Sequence, residues 1–227
     1  MTWVKICGTT NLEDALLAVD AGADAVGFVF YDKSPRRVDV ETVREIVQQL
    51  PEGVEKVGIF VDHGPEQIRE IVQRAGLTAV QLHRIEDSPT GFWPASHEAF
   101  KERLGVPKLI LAISGERLTG GEFFLGDEAR KQLYAVLIDS GTAAQPGGTG
   151  KQFDWSDETR GRVQAISLLV PVIVAGGVNP ENVGKALDLF QPFGIDVVSG
   201  VEARLGKKDP EKVRAFVEAV RRAEKSA

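Results

Sequence analysis

The stretch Ala21-Gly22-Ala23-Asp24-Ala25-Val26 decides the fold, because a similar pattern returns later in the chain. Residues 75–80 read AGLTAV, and residues 193–198 read FGIDVV. In each copy a helical segment stops at a glycine, which readily takes the left-handed conformation that ends helices, and an apolar strand follows at once. The repetition predicts a chain built from successive helix-to-strand units.

Eight short segments rich in Val, Ile, Leu and Phe are predicted to be β-strands. Most of them are almost continuously apolar, which is typical of parallel strands that are covered on both faces. The predicted strands are Trp3–Cys7, Ala25–Phe30, Val54–Phe60, Ala79–Leu82, Lys108–Ile113, Ala135–Ile138, Val172–Ala175 and Ile195–Val198.

Amphipathic segments separate these strands and are predicted to be α-helices. Several begin beside residues that cap helix N-termini well: Thr10 or Asn11, Asp39, Ser156 and the pair Asn179-Pro180. The predicted helices are Asn11–Ala21, Val40–Leu50, Glu66–Ala75, Ser96–Leu104, Gly126–Gln132, Ser156–Leu168, Glu181–Phe190 and Glu211–Glu224.

Strands that alternate with helices indicate βαβ units and a parallel sheet. Eight such strands in 227 residues are typical of a (β/α)8 or TIM barrel, so the sequence predicts one barrel domain over residues 1–227. A doubly wound open sheet is the structural alternative. It needs a glycine fingerprint after its first strand, and Cys7-Gly8-Thr9-Thr10 is not one. The least regular region runs from Arg84 to Lys131.

The composition argues against several kinds of partner. A net charge of −6 speaks against nucleic acid, and no apolar run is long enough to span a membrane. The single cysteine cannot form an internal disulfide, and no signal segment follows Met1, so we expect a cytoplasmic protein. The three histidines, His63, His83 and His97, lack the spacing of metal ligands, so no metal site is predicted.

Cys7 and Asp139 each stand at the carboxyl end of a predicted strand. In a barrel these ends meet at the face that carries the active site. A thiol and a carboxylate at that face are a candidate general base and a candidate general acid. The alternative is that Cys7 is a small buried apolar side chain, which is the commoner use of a lone cysteine.

Three glycine-rich segments follow the last three predicted strands, at residues 146–151, 175–179 and 199–202. Glycine lets backbone N–H groups approach an anion, and barrels often bind phosphate after strands seven and eight. The first segment is predicted to be a mobile flap that excludes water. The binding residues predicted from these segments are Gly148, Gly150, Gly176, Gly177, Ser199 and Gly200.

Arg36 and His83 are two further candidates for substrate binding. Arg36 follows the second strand and could hold a carboxylate with two hydrogen bonds, although a solvated loop arginine is the alternative. His83 ends the fourth strand, where it could bind substrate or simply be satisfied at the barrel rim. Lys5 shares strand parity with Cys7, so it is predicted to point inward and to pair with Asp196 on the neighbouring last strand.

Together these motifs resemble the phosphoribosylanthranilate isomerase family. The resemblance runs in order from Lys5 to Asp209 and is thin between Arg84 and Lys131. The cysteine motif combined with GGTG-x-x-FDW is highly specific. The matching segments are KICGTT at residues 5–10, GFVF at 27–30, SPR at 34–36, QLH at 81–83, DS at 139–140, GGTGKQFDW at 147–155, AGG at 175–177 with Pro180, and residues 196–202.

The resemblance implies a cofactor-free enzyme of tryptophan biosynthesis. It would convert a small anionic phosphosugar, N-(5-phosphoribosyl)anthranilate, to 1-(2-carboxyphenylamino)-1-deoxyribulose 5-phosphate by an Amadori rearrangement. In this family the residue matching Cys7 is the general base and the one matching Asp139 is the general acid. The arginine matching Arg36 lies near the anthranilate carboxylate. A homodimer is among the assemblies that the sequence allows.

Two positions depart from the family pattern, and two other functions stay open. Arg84 replaces a small residue after the histidine, and Val198 stands where a serine is common. A histidine-pathway phosphosugar isomerase, or a dual-substrate version, resembles the chain in fold but uses an aspartate where Cys7 stands. A non-catalytic barrel that binds a phosphorylated metabolite would not pair Cys7 with Asp139 across the barrel mouth.

Overall fold

Eight parallel strands form a closed barrel in the computed structural model, which describes residues 1–83, 100–106, 108–119, 127–141 and 152–225. The strands are neighbours in chain order, and β1 pairs with β8 to close the ring. The predicted (β/α)8 barrel is therefore confirmed, and the open-sheet alternative is wrong. The barrel strands are β1 (Trp3–Ile6), β2 (Ala25–Val29), β3 (Glu55–Phe60), β4 (Ala79–Leu82), β5 (Lys108–Ser114), β6 (Ala135–Asp139), β7 (Val172–Val174) and β8 (Gly194–Val197).

Helices follow the barrel strands and cover their outer surface. Asn11 caps the first of them, because its side chain accepts a hydrogen bond from the Asp14 N–H at 2.9 Å. The helices are α1 (Leu12–Asp20), α2 (Val40–Val47), α3 (Pro65–Ala75), α4 (Phe100–Leu104), α5 (Gly115–Thr119), α6 (Asp127–Gln132), α7 (Asp157–Ser167), α8 (Val183–Phe190) and α9 (Pro210–Glu224). No helix in the described ranges is long and apolar enough to cross a membrane.

Three local features differ from the sequence-based expectation. Helix α8 begins at Val183 rather than Glu181, because Asn179 caps a turn: its side chain accepts from the Glu181 and Asn182 N–H groups. The short helix α5 was not predicted. Nor was an antiparallel hairpin of β9 (Glu202–Arg204) and β10 (Lys207–Lys208), which follows a 3₁₀ turn at Ser199–Val201.

The core is divided by the barrel wall into two apolar clusters. The larger lies between the strands and the helices, and the smaller fills the barrel interior. The interior cluster uses many small side chains, among them Ala25, Ala79, Ala112 and Ala135. Because successive strand residues point to opposite faces, Lys5 shares this interior with Cys7. Ala25 is the register partner of Lys5 where β1 meets β2, so a small side chain stands beside the buried lysine.

Candidate active site

A pocket opens at the carboxyl ends of the strands and brings together four residues selected from the sequence. Cys7, Arg36, His83 and Asp139 all line it, although the first and the last are separated by more than half of the chain. Cys7 directly follows β1, and Asp139 is the last residue of β6. The prediction that Cys7, His83 and Asp139 share one rim is thus confirmed, and Ser199 follows β8 at the same end.

The Cys7 thiol lies in a confined and largely buried position. Its backbone N–H donates to the Val197 carbonyl at 2.9 Å, which ties the residue to β8. A Cβ atom on Gly27 would lie 2.7 Å from the Cys7 sulfur, so the thiol occupies space that only a glycine at position 27 leaves open. Burial raises the pKa of the Cys7 thiol, and the nearby Lys5 ammonium opposes this rise in pKa.

Lys5 lies fully buried beneath the pocket and pairs with Asp196. Its Nζ atom donates to Asp196 Oδ1 at 2.7 Å, and the two residues are register partners where β1 meets β8. Burial alone would lower the pKa of Lys5, but the charges of Asp196 and Cys7 outweigh burial and raise it. The predicted inward orientation of Lys5 and its pairing with Asp196 are confirmed. The ammonium therefore stays charged beside the thiol.

Asp139 has the properties of a carboxyl group that can hold a proton near neutral pH. Burial, followed by the negative charge of Asp196, raises the pKa of Asp139 to about 6. Hydrogen bonds from Ser140 oppose this change in pKa: the Ser140 N–H donates to Asp139 Oδ1 at 2.6 Å, and its hydroxyl donates at 3.3 Å. The result is a carboxyl group with an elevated pKa that remains fixed in orientation.

His83 is a neutral group in this pocket. Burial, together with the positive charge of Lys5, lowers the pKa of His83 to about 4. The Gln81 amide nitrogen lies 2.8 Å from His83 Nε2 and donates to it, so the ring proton of His83 is assigned to Nδ1. Gln81 lines the same pocket and was missed as a site residue, although its strand parity with His83 could have indicated it.

Arg36 is buried, so the alternative of a solvated loop arginine is wrong. Its Nε and Nη2 atoms donate to the two oxygens of Glu202, at 2.7 and 2.8 Å. Glu202 is in turn 3.5 Å from the Nζ atom of Lys208. Neither Glu202 nor Lys208 was singled out from the sequence. No local pattern connects them to Arg36, which lies more than 160 residues earlier in the chain.

The loops after β7 and β8 lie against each other, as a shared anion site requires. A Cβ atom on Gly200 would lie 2.0 Å from the Val178 carbonyl oxygen, so the two backbones touch at a place where only glycine fits. Gly176 and Gly177 both have positive φ angles, of 77° and 69°. Ser199 and Gly200 begin the 3₁₀ turn, and the first N–H groups of such a turn have no partner inside it. A phosphate site here stays a prediction.

Several predicted features lie outside the described residues. They are Gly148 and Gly150, the rest of the predicted flap at residues 146–151, and Arg84. Val198, the second departure from the family pattern, lines the pocket, and its carbonyl accepts from Lys208 Nζ at 3.1 Å. Position 198 therefore contributes its backbone to the site whatever side chain it carries.

Comparison with known proteins gives a consistent result over almost the whole chain. Residues 4–219 match the family model described as N-(5′-phosphoribosyl)anthranilate (PRA) isomerase. A protein from Thermotoga petrophila with the name N-(5′-phosphoribosyl)anthranilate isomerase is 42% identical over 217 residues, which cover 96% of this chain and 97% of that protein. A similarly named protein from Syntrophus aciditrophicus is 40% identical over 222 residues, covering 98% of this chain and 88% of that protein.

Solved structures agree with these sequence matches. A phosphoribosylanthranilate isomerase from Thermotoga maritima, described as monomers generated from a dimeric enzyme, superposes with a TM-score of 0.76 at 36% identity. The match covers 97% of this chain and 99% of that one. A second structure, solved in complex with reduced 1-(o-carboxyphenylamino)-1-deoxyribulose 5-phosphate, gives a TM-score of 0.70 at 35% identity, with the same coverage of the two chains.

Proposed function

Because the chain belongs to the N-(5′-phosphoribosyl)anthranilate isomerase family, we propose that its reaction uses Cys7 as general base and Asp139 as general acid. The protein is an isomerase of tryptophan biosynthesis. Its reaction converts N-(5′-phosphoribosyl)anthranilate to 1-(2-carboxyphenylamino)-1-deoxyribulose 5-phosphate. The observation that carries the assignment of residues is that a thiol and a carboxyl group with an elevated pKa line the same buried pocket.

The first step opens the furanose ring. The Asp139 carboxyl group gives its proton to the ring oxygen as the bond from that oxygen to C1′ breaks, and the anthranilate nitrogen supplies the electron pair that forms the iminium ion. A pKa of about 6 suits this role, because the acid must release its proton in the transition state yet hold it beforehand. Asp139 is left as a carboxylate at the end of this step.

The second step removes the proton from C2′, which the adjacent iminium ion has made acidic. The Cys7 thiolate takes that proton, and the electron pair of the C–H bond forms the double bond of an enolamine. The enolamine then tautomerises to the amino ketone. Lys5 supports the thiolate form of Cys7 by its positive charge, which opposes the effect of burial on the thiol pKa.

The reaction needs a protonated Asp139 and a Cys7 thiolate, but at pH 7 the free protein mainly holds the opposite protonation state of each group. The pKa of Asp139 is about 6, and burial raises the pKa of Cys7, so the carboxylate and the neutral thiol predominate. The reactive pair has the same number of protons, with one moved from sulfur to oxygen. The substrate anion near Asp139 favours this transfer before the ring opens, and the cationic iminium that ring opening creates then stabilises the Cys7 thiolate until it accepts the C2′ proton. The substrate thus helps to set the protonation states that its own rearrangement needs.

The remaining candidate groups are proposed to bind the substrate. The backbones at Gly176, Gly177, Ser199 and Gly200 would hold the phosphate, and their adjoining loops support this role. Arg36 would contact the anthranilate carboxylate, and neutral His83 would donate from Nδ1 to the substrate. Gly148 and Gly150 keep the role of flap residues that the sequence predicts.

The direct test is an isomerase assay on the purified protein. Loss of the fluorescence of N-(5′-phosphoribosyl)anthranilate is followed while indole-glycerol-phosphate synthase converts the product. We expect turnover without any added cofactor. The phosphoribosyl substrate of the histidine-pathway isomerase serves as the specificity control, and exclusive turnover of that compound would contradict the proposal. Light scattering on the same sample determines whether the protein is a homodimer, which is one of the assemblies that the sequence allows.

A further inference from the structure

Glu202 and Arg36 form an ion pair with a defined geometry. The Nε and Nη2 atoms lie on one edge of the guanidinium, and both donate to Glu202, at 2.7 and 2.8 Å. This side-on arrangement leaves the end of the guanidinium, formed by Nη1 and the second hydrogen of Nη2, without a partner among the hydrogen bonds of the described residues. An arginine held in this way can bind a second carboxylate end-on through two parallel hydrogen bonds.

Glu202 is itself held firmly, so it can fix the direction of the arginine. Its Oε1 atom accepts not only from Arg36 but also from the Gly206 N–H at 3.3 Å, and Lys208 Nζ lies 3.5 Å away. Lys208 is anchored by the carbonyls of Cys7 and Val198, at 2.6 and 3.1 Å. The carboxylate is therefore connected through Lys208 to the ends of β1 and β8.

The stem of Arg36 is confined as well. Gly8 has a φ of +71°, and a Cβ atom there would lie 2.7 Å from Arg36 Cδ. The Arg36 N–H donates to the Ser34 hydroxyl at 3.2 Å, which fixes the backbone of the same loop. The aliphatic part of Arg36 and one edge of its guanidinium are therefore both fixed. Since Arg36 lines the pocket, the free edge of the guanidinium has little freedom to turn away from it.

The charges of this group favour an additional anion. Two buried cations, Arg36 and Lys208, face the single carboxylate of Glu202. The neighbouring Asp14 does not cancel the excess, because its Oδ1 pairs with Lys207 Nζ at 2.8 Å. A carboxylate of the substrate at the free end of Arg36 would complete the balance of charge.

We propose that Glu202 is a positioning residue for substrate selection: by holding one edge of Arg36, it presents the other edge to the carboxylate on the aromatic ring of the substrate. The proposal rests on the proposed function, since it takes the substrate to be a phosphoribosyl anthranilate. Glu202 itself does not touch the substrate. It acts on affinity for the carboxylate and has no part in proton transfer.

The experiment compares two ligands that differ only in that carboxylate. One is reduced 1-(2-carboxyphenylamino)-1-deoxyribulose 5-phosphate, and the other is the same compound with an unsubstituted phenyl ring. Isothermal titration calorimetry gives the Kd of each for the wild type and for Glu202→Gln. The glutamine keeps the size of the side chain but loses the charge and one acceptor for Arg36. We expect the preference for the carboxylated ligand to fall by about tenfold, the weight of one charge-assisted contact, with the Kd of the other ligand unchanged.

Two further variants make the test specific. Asp32→Asn removes the charge from an exposed carboxylate paired with the adjacent Arg37 at 2.7 Å, and it should leave the preference unchanged. Glu202→Asp keeps the charge but withdraws it by one methylene, so a smaller loss of preference is expected. It also serves as the test variant if Glu202→Gln does not fold. Equal weakening of both ligands, or no change in either Glu202 variant, would overturn the proposal.

The wild-type protein separates this proposal from the proposed function. Wild type that catalyses the isomerisation but binds both ligands equally would overturn the role of Glu202 and leave the function intact. Wild type that lacks isomerase activity but shows a preference that Glu202→Gln removes would contradict the function and support the positioning of Arg36.

Discussion

Two buried ion pairs in this protein have the same shortest distance and different uses. Lys5–Asp196 lies inside the barrel and Arg36–Glu202 lies at its mouth, each with a nitrogen–oxygen distance of 2.7 Å. The lysine is a compact charge that changes the pKa values of its neighbours, since it opposes the rise of the Cys7 pKa and lowers that of His83. The arginine carries a planar guanidinium, and Glu202 uses only some of its N–H donors. Under the proposed mechanism, the inner pair serves proton transfer and the outer pair serves binding.

The largest expected effect concerns proton transfer by Cys7 and Asp139, which lie in the pocket above the inner pair. Cys7→Ser replaces the thiol with a far weaker acid, and Asp139→Asn removes the transferable proton. Each should lower kcat by about 10²–10⁴-fold, measured by loss of substrate fluorescence. The Kd of the reduced product analogue should change little, because the contacts proposed for its phosphate and carboxylate lie elsewhere. The two changes should be less than additive, since the base acts on the intermediate that the acid produces.

Near-normal turnover of Cys7→Ser would show that Cys7 is only a small buried side chain. Asp32→Asn is the matched control for Asp139→Asn, because it makes the same chemical change at an exposed residue that does not line the pocket. It should leave kcat as in the wild type.

The second effect concerns stability and separates buried pairs from exposed ones. Lys5→Met leaves the Asp196 carboxylate buried without its partner, so the free energy of unfolding should fall by about 3–5 kcal/mol. Arg74→Met breaks an equally short but half-exposed pair with Glu41, at 2.7 Å, and should cost no more than about 1 kcal/mol. Denaturation in urea measures both. Similar losses in the two variants would contradict the special position of the inner pair.

The third effect follows from the pKa of about 6 at Asp139, against an ordinary value of 3.8. Because the folded protein binds this proton more tightly than the unfolded chain does, stability is lost as the pH rises from about 4 to about 6. Asp139→Asn should therefore be more stable than the wild type at pH 7 by about 3 kcal/mol, and this advantage should vanish below pH 4. Unfolding experiments across this pH range provide the measurement.

Asp154→Asn is a control with the opposite sign. Hydrogen bonds from Ser156 and Thr159 lower the pKa of Asp154, so its carboxylate stabilises the fold at neutral pH and loses that contribution as the pH falls. The asparagine variant should be less stable than the wild type at pH 7. A gain in stability for both variants at pH 7 would contradict the assignment at Asp139.

The smallest effect is expected at the outer pair. Arg36→Ala removes a contact that should be equal in the ground state and the transition state, so KM should rise by about tenfold while kcat changes less. Arg37→Ala, at the adjacent exposed position, should leave KM unchanged. The kinetic assay gives both constants. A loss confined to kcat would mean that Arg36 acts in the chemical step, which would contradict the assignment of substrate binding to the outer pair.

The barrel and its inner pair could be predicted because they follow from short-range rules. The apolar strands and glycine stops predict the units, and strand parity places Lys5 beside Cys7 in the interior. The partner of Lys5 follows from closure, which makes β1 and β8 neighbours. The hairpin of β9 and β10 has no such pattern, since its strands are three and two residues long and mostly charged. Glu202 and Lys208 therefore become visible only through their contacts across the fold.

Closure of the barrel also determines the stage of folding at which the site can form. Lys5 lies near the start of the sequence and Asp196 lies 191 residues later, yet they are register partners. A chain emerging from the ribosome carries Cys7 almost at once, but the charge environment of that thiol is incomplete until β8 docks against β1. Contacts between such distant residues form late, because long loops must close first. Catalytic activity is thus expected only after the last strand has docked against the first. A partly folded or shortened chain is expected to have an inert thiol.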